Sequence, residues 1–121
     1  MHIKNPGPEI KKAVTSAVEW FKESAIQGIR VERIESSEAK FIYHQTKYDN
    51  IVVKDPHAPR IWARFYELGT HKPIFCGRDG IVRYSMAEID RDRRTGYAWY
   101  HYAPEEVLTL YKQWAKDNLE N

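Results

Sequence analysis

Residues 61–84, IWARFYELGTHKPIFCGRDGIVRY, bring together aromatic rings and guanidinium groups. Trp62, Phe65, Tyr66, Phe75 and Tyr84 are interleaved with Arg64, Arg78 and Arg83. As an extended segment, residues 61–68 alternate: Trp62, Arg64, Tyr66 and Leu68 share one face, and Ile61, Ala63, Phe65 and Glu67 the other. The first face is an aromatic surface with a cation in its middle. Such a surface suits a flat anionic ligand, because rings stack on it and a guanidinium grips a carboxylate or phosphate through two parallel hydrogen bonds. The same pattern also fits a half-buried strand whose arginine pairs with a carboxylate of its own chain. Gly69-Thr70 with Pro73, and Gly77-Arg78-Asp79-Gly80, mark turns inside the stretch.

Other chemistries find less support. His2, His44, His57, His71 and His101 are scattered, and Cys76 is the only cysteine, so no metal-ligand spacing and no internal disulfide is available. Asp49, Asp55, Asp79, Glu67 and Glu88 are not spaced as a calcium loop. A net charge of only +2 argues against a dedicated nucleic-acid binder, for which a strongly basic face is expected. No apolar run is long enough to span a bilayer, and the opening MHIKNPGPEI lacks the apolar region of a signal peptide.

The elements that must position these side chains follow from periodicity. At 121 residues the chain is one domain at most, and 42% apolar residues are enough for a packed core. Ile10, Ala13, Val14, Ala17, Val18 and Phe21 form a helical stripe over Pro8 to Glu23, with Pro8 and Glu9 suited to its first turn. Val107, Leu108, Tyr111, Trp114 and Ala115 form a second stripe after Pro104. Between the two, Ile29 to Ile34, Phe41 to His44 and Ile51 to Lys54 read as short strands. Glu35 to Lys40 reads as an exposed loop, and Asp55-Pro56-His57-Ala58-Pro59 as irregular chain. Ser85 with Glu88 forms a capping box that starts a short helix ending at Thr95-Gly96. Asp90 and Arg94 are placed to pair across one turn of that helix, and Arg91, Asp92 and Arg93 read as a solvated face. Tyr97, Trp99, Tyr100 and Tyr102 read as aromatic packing, with a saccharide platform as the alternative. The fold class expected is α+β. The strong stripes on the end helices, set against irregular pieces between them, suggest part of a larger body.

Several motifs carry a resemblance. NPGPEI and the helix after it, GIRVER, and DPHAPRIWARFYELGTHKPIFCGRDGIVRYSMAEIDRDRRTGYAWY closely resemble the C-terminal part of family-ten polysaccharide lyases, which are pectate lyases. The likeness runs from about Met1 to Tyr100. WARFYE, the GRDG run and GYAWY are specific in combination. Gly7 stands where the family usually has Ser, and Gly still caps acceptably. Residues 35–45 look like an insertion or variable loop. The resemblance implies a parent module that is a mainly helical (α/α) toroid with a smaller strand-containing part, of which residues 1–121 correspond to roughly the last third. The NPxPEI motif is internal in the family, so Met1 is not expected to be the start of the whole enzyme.

The resemblance further implies calcium-assisted β-elimination of polygalacturonate. The C5 proton lies beside a carboxylate, and its removal doubles the negative charge that cations must offset. The family's base is an arginine, a group whose reference pKa exceeds ~12. By motif position that base and the calcium carboxylates lie upstream, so no catalytic residue and no metal ligand is expected in this chain. What the chain carries is the pair of carboxylate-gripping arginines, Arg64 and Arg78, with Tyr66 and Asp79 as the neighbours that orient them. A purely turn-forming Asp79 is an equal alternative. The partner implied is polygalacturonate, with no nucleic acid and no membrane, and the implied location is secreted or periplasmic. The competing reading is a non-catalytic binder of acidic polysaccharide.

Overall fold

The computed structural model describes residues 6–42 and 44–119. Asn5, which heads the NPGPEI motif, and Tyr43, inside the strand candidate at 41–44, lie outside the described residues. In chain order the elements are α1 (Pro8–Ser24), β1 (Ile29–Lys40), β2 (Gln45–Lys54), β3 (Trp62–Ala63), β4 (Phe75–Cys76), β5 (Val82–Arg83), a 3-10 turn (Met86–Glu88), α2 (Arg91–Gly96), β6 (Tyr100–His101) and α3 (Ala103–Asn118). These short antiparallel strands and helices make the α+β class expected. The chain divides into two compact units, Met1–Ala25 with Tyr102–Asn121, and Ile26–His101.

In the first unit, α1 packs with α3. Pro8 lies in the first turn of α1, where a missing N–H costs nothing, and Glu9 meets the positive end of the helix dipole. Val18 is buried and Val14 and Phe21 are half-buried, but Ile10, Ala13 and Ala17 of the same stripe stay exposed. On α3, Leu108 and Trp114 are buried and Val107, Tyr111 and Ala115 half-buried, as the periodicity predicts. Lys22 reaches to 5.8 Å from the centre of the Tyr111 ring, joining the two helices through a cation and a π-face.

The second unit is built on a long hairpin, β1 with β2, paired from Ile29↔Lys54 to Lys40↔Gln45 with an irregularity between Glu35 and Ala39. Glu35 to Lys40 is therefore strand, not the loop the sequence suggests. Most of its side chains are exposed, so neither face dries and no alternation marks it. Gly28, at φ +85, turns the chain into β1, and its carbonyl accepts from the Asp55 N–H at 2.8 Å.

Three small pairings frame the rest of this unit. β3 pairs with β6, β4 pairs with β5, and Ile26 bridges Ile61. Residues 61–68 do not continue as one strand. Regular pairing stops at Ala63; Trp62 and Ala63 are both buried, while Leu68 is 95% exposed. Phe75, Met86, Ile89 and Trp99 form the core, with Val31, Cys76, Tyr97 and Tyr100 packed around it. The helix expected from Ser85 to Gly96 is split in two. Ser85 Oγ accepts from the Ala87 N–H as a cap, but Ile89 is extended, and the α-helix begins only at Arg91.

Candidate functional site

Arg64 leaves β3 immediately after the buried Trp62 and Ala63, and its backbone N–H donates to the Trp99 carbonyl at 2.8 Å. That bond turns its side chain out. The guanidinium lies 4.6 Å from the centre of the Tyr97 ring and 6.0 Å from that of Phe65. Among the described residues no carboxylate pairs with it, and the side chain is exposed. Phe65 and Tyr97 are themselves stacked, 6.2 Å apart at 11°. Arg93 lies on Tyr97 as well, at 5.2 Å, and on Trp99 at 5.5 Å, with its Nε donating to the Cys76 carbonyl at 3.4 Å. Phe65, Tyr97, Trp99, Arg93, Phe75 and Cys76 line a pocket of about 230 Å3. Tyr97 thus belongs to a cation-bearing aromatic platform as well as to packing, and Arg93 is not simply a solvated charge.

Arg78 sits at the tip of the β4–β5 turn, and its partner is Asp92. Arg78 Nε donates to Asp92 Oδ2, and Nη2 donates to Oδ1 at 3.3 Å. Asp92 is only 8% exposed, so its expected place on a solvated face is corrected. The hydrogen bonds from Arg78 hold its carboxyl below the usual carboxylate range, outweighing burial, which acts in the opposite direction. His44 Nδ1 lies 3.0 Å from Asp92 Oδ1 on the other side.

Asp79 does not orient Arg78. It turns instead to Arg83, which donates from Nη2 at 2.9 Å and Nη1 at 3.2 Å, and its Oδ1 caps the Ile81 N–H at 2.9 Å. Those contacts hold the Asp79 carboxyl below its usual range, the Arg83 hydrogen bonds foremost. The turn-forming alternative for Asp79 is the one that matches the geometry. The Tyr66 hydroxyl accepts from the Ala63 N–H at 3.0 Å, which fixes the bend just before Arg64.

The hairpin is tied to α2 by a further set of charged groups. Arg94 pairs with Asp49, at 2.9 Å from Nε to Oδ1 and 2.8 Å from Nη2 to Oδ2, rather than with Asp90. Asn50 Nδ2 donates to the Arg94 carbonyl at 3.1 Å. Arg91 donates to the carbonyls of Tyr48 at 3.0 Å and Ser37 at 2.6 Å, so it too is a structural tie and not a bystander. The Asp49–Arg94 pair borders a second cavity of about 630 Å3 between β2 and the Ser85–Ala87 turn.

These ties escape the sequence because they join residues 14 to 54 positions apart. The only local hint is that Tyr97 lies in the GYAWY run. Among the described residues no three His, Cys, Asp or Glu side chains converge as a metal-binding group.

Comparison with known proteins bears on what this surface does. A family model described as pectic acid lyase matches residues 1–108. Two solved structures are similar at 26% sequence identity and a TM-score of 0.69: the family 10 polysaccharide lyase from Cellvibrio cellulosa, and a mutant of a family 10 polysaccharide lyase from the same organism in complex with trigalacturonic acid. Each likeness covers 91% of this chain but only 31% of the solved one. No curated protein matches significantly.

Proposed function

The chain belongs to the pectic acid lyase family, and from that we propose that it forms part of a pectate lyase that cleaves polygalacturonate by calcium-assisted β-elimination, with Arg64 and Arg78 gripping uronate carboxylates. The observation that carries this reading is Arg64: an exposed guanidinium 4.6 Å above an aromatic ring, with no carboxylate of the described residues to neutralise it. A cation held on a π-face keeps its charge and a fixed orientation, and its outer edge is available to a planar anion. A uronate supplies that anion and a sugar face to lie on the neighbouring rings. The solved relative bound to trigalacturonic acid supports the same ligand class.

Arg78 grips through the part of its side chain that Asp92 leaves exposed, 40% of it. Tyr66 acts on Arg64 through the backbone, by pinning the bend at Ala63. Asp79 shapes the turn that presents Arg78. Neutralising carboxylate charge beside C5 is how these residues would favour proton loss in the complete module. The ligands of calcium, like the base, we place outside this chain. Secretion is part of the same proposal, since polymeric pectate is an extracellular substrate; no helix of the described residues is long and apolar enough to cross a membrane.

The test is calorimetric titration of the chain with trigalacturonate. A charge-assisted bidentate contact contributes about 1.5–3 kcal/mol, so Arg64→Ala and Arg78→Ala should each weaken binding about tenfold or more. Lys47, exposed on the hairpin, is the control, and Lys47→Ala should change little. Wild-type affinity in both arginine variants sinks the assignment.

A further inference from the structure

Arg78 serves as a grip only if its guanidinium is held in one orientation. We propose that Asp92 and His44 act together as positioning residues for Arg78, Asp92 fixing the guanidinium and His44 bracing Asp92. The inference rests on the reading of Arg78 as a uronate clamp.

Three observations support it. First, Asp92 is shared. Its Oδ2 takes Arg78 Nε, and its Oδ1 takes both Arg78 Nη2 at 3.3 Å and His44 Nδ1 at 3.0 Å. A carboxylate held low by its partners accepts hydrogen bonds and donates none, so His44 Nδ1 is a donor. Second, the other ring nitrogen, Nε2, lies 3.0 Å from Thr95 Oγ1. Asp92 and Thr95 thus hold the His44 ring at its two nitrogens, and the ring in turn braces the carboxylate that takes Arg78. Third, the fold makes room for the ring: a Cβ on Gly96 would stand 2.9 Å from His44 Cε1.

His44 comes from the β1–β2 turn, where its carbonyl accepts from the Phe41 N–H at 2.7 Å. That turn lies in the stretch that departs most from the resembled motifs.

A double-mutant cycle with trigalacturonate as the probe tests the inference on the full chain. His44→Ala and Asp92→Asn should each weaken binding about three- to tenfold, somewhat less than or equal to Arg78→Ala. The readout that a merely structural role would not move is the coupling. In an Arg78→Ala background, His44→Ala should cause no further loss, because the group it serves is gone. His44→Ala carries the test by itself if Asp92→Asn does not fold. Wild-type affinity in His44→Ala alongside a loss in Arg78→Ala overturns the positioning role and leaves the clamp standing. Losses that simply add in the double variant overturn it as well. Wild-type affinity in Arg78→Ala itself removes the clamp, and the positioning role with it.

Discussion

Asp49 and Arg94, 45 residues apart, meet through two parallel hydrogen bonds of 2.9 and 2.8 Å, with only 15% and 19% of their side chains exposed. This pair fastens β2 to α2, and so links the hairpin to the segment that carries Asp92 and Arg93. Planar pairing of a guanidinium and a carboxylate in a half-dry setting is among the stronger charged contacts, and removing one partner leaves the other uncompensated.

Acid should therefore loosen the hairpin. Hydrogen bonding from Arg94 holds the Asp49 carboxyl below its usual range, and the same bonds push the arginine up. A group whose pKa is depressed by folding adds stability that is fully present above its unfolded value, about 3.9, and is lost as pH falls through the folded one. Urea midpoints should thus drop between neutral pH and about pH 3. Asp49→Asn keeps the bond to the Asn50 N–H but not the charge. It should cost about 1–3 kcal/mol near neutrality and show a flatter acid response. An equally steep acid response in that variant would place the titrating group elsewhere.

Gly96→Ala tests the packing of the His44 ring. The added Cβ would stand 2.9 Å from Cε1 and 3.2 Å from Nδ1, closer than side chains tolerate. The ring must shift, which strains its bonds to Asp92 and Thr95. A loss of about 1–2 kcal/mol by chemical denaturation is expected, together with weaker trigalacturonate binding. Unchanged stability and affinity would mean that His44 is not anchored where the geometry has it.

Arg91 and Arg93 show what the sequence can and cannot reveal. The end helices are legible because Val14, Val18 and Phe21 on α1, and Val107, Leu108, Tyr111 and Trp114 on α3, recur at helical spacing and are buried or half-buried. Glu35 to Lys40 is illegible because backbone bonds alone make it a strand and its side chains stay wet. The run RDRR reads as solvent-facing charge because its partners are remote: Ser37 and Tyr48 for Arg91, His44 and Arg78 for Asp92, Asp49 for Arg94. The proposal of Arg64 and Arg78 as anion grips comes from their motifs. The partner of Arg78 is not legible, because Asp79 beside it turns to Arg83.

Arg91→Ala should accordingly alter stability. Its guanidinium spans the carbonyls of Ser37, Thr46 and Tyr48. Loss of hydrogen bonds from a charged donor, two of them to part-buried carbonyls, should cost about 1.5–3 kcal/mol, read as a lower urea midpoint. An unchanged midpoint would return Arg91 to the solvated face.

The last expectation concerns catalysis, and it turns on where a base can be. Elimination by an arginine base needs a neutral guanidine, so the site must favour loss of its proton. Arg83 and Arg94 are held in the opposite state. The hydrogen bonds to Asp79 and Asp49 raise the pKa of Arg83 and of Arg94, respectively, above the ordinary arginine range. Arg78 is paired with Asp92, and Arg64 lies on an aromatic face. On the proposed reading such groups would lower the charge cost of elimination without taking the C5 proton. Given polygalacturonate and calcium at alkaline pH, the chain should bind the polymer and yield no unsaturated product by ultraviolet absorbance. Added turnover on supplying the rest of a lyase module, reduced about tenfold or more in kcat/KM by Arg78→Ala, would be the matching positive result. Robust elimination by residues 1–121 alone would put the base inside the chain. Arg60, Arg64 and Arg83 would then be tested one at a time by substitution to Ala.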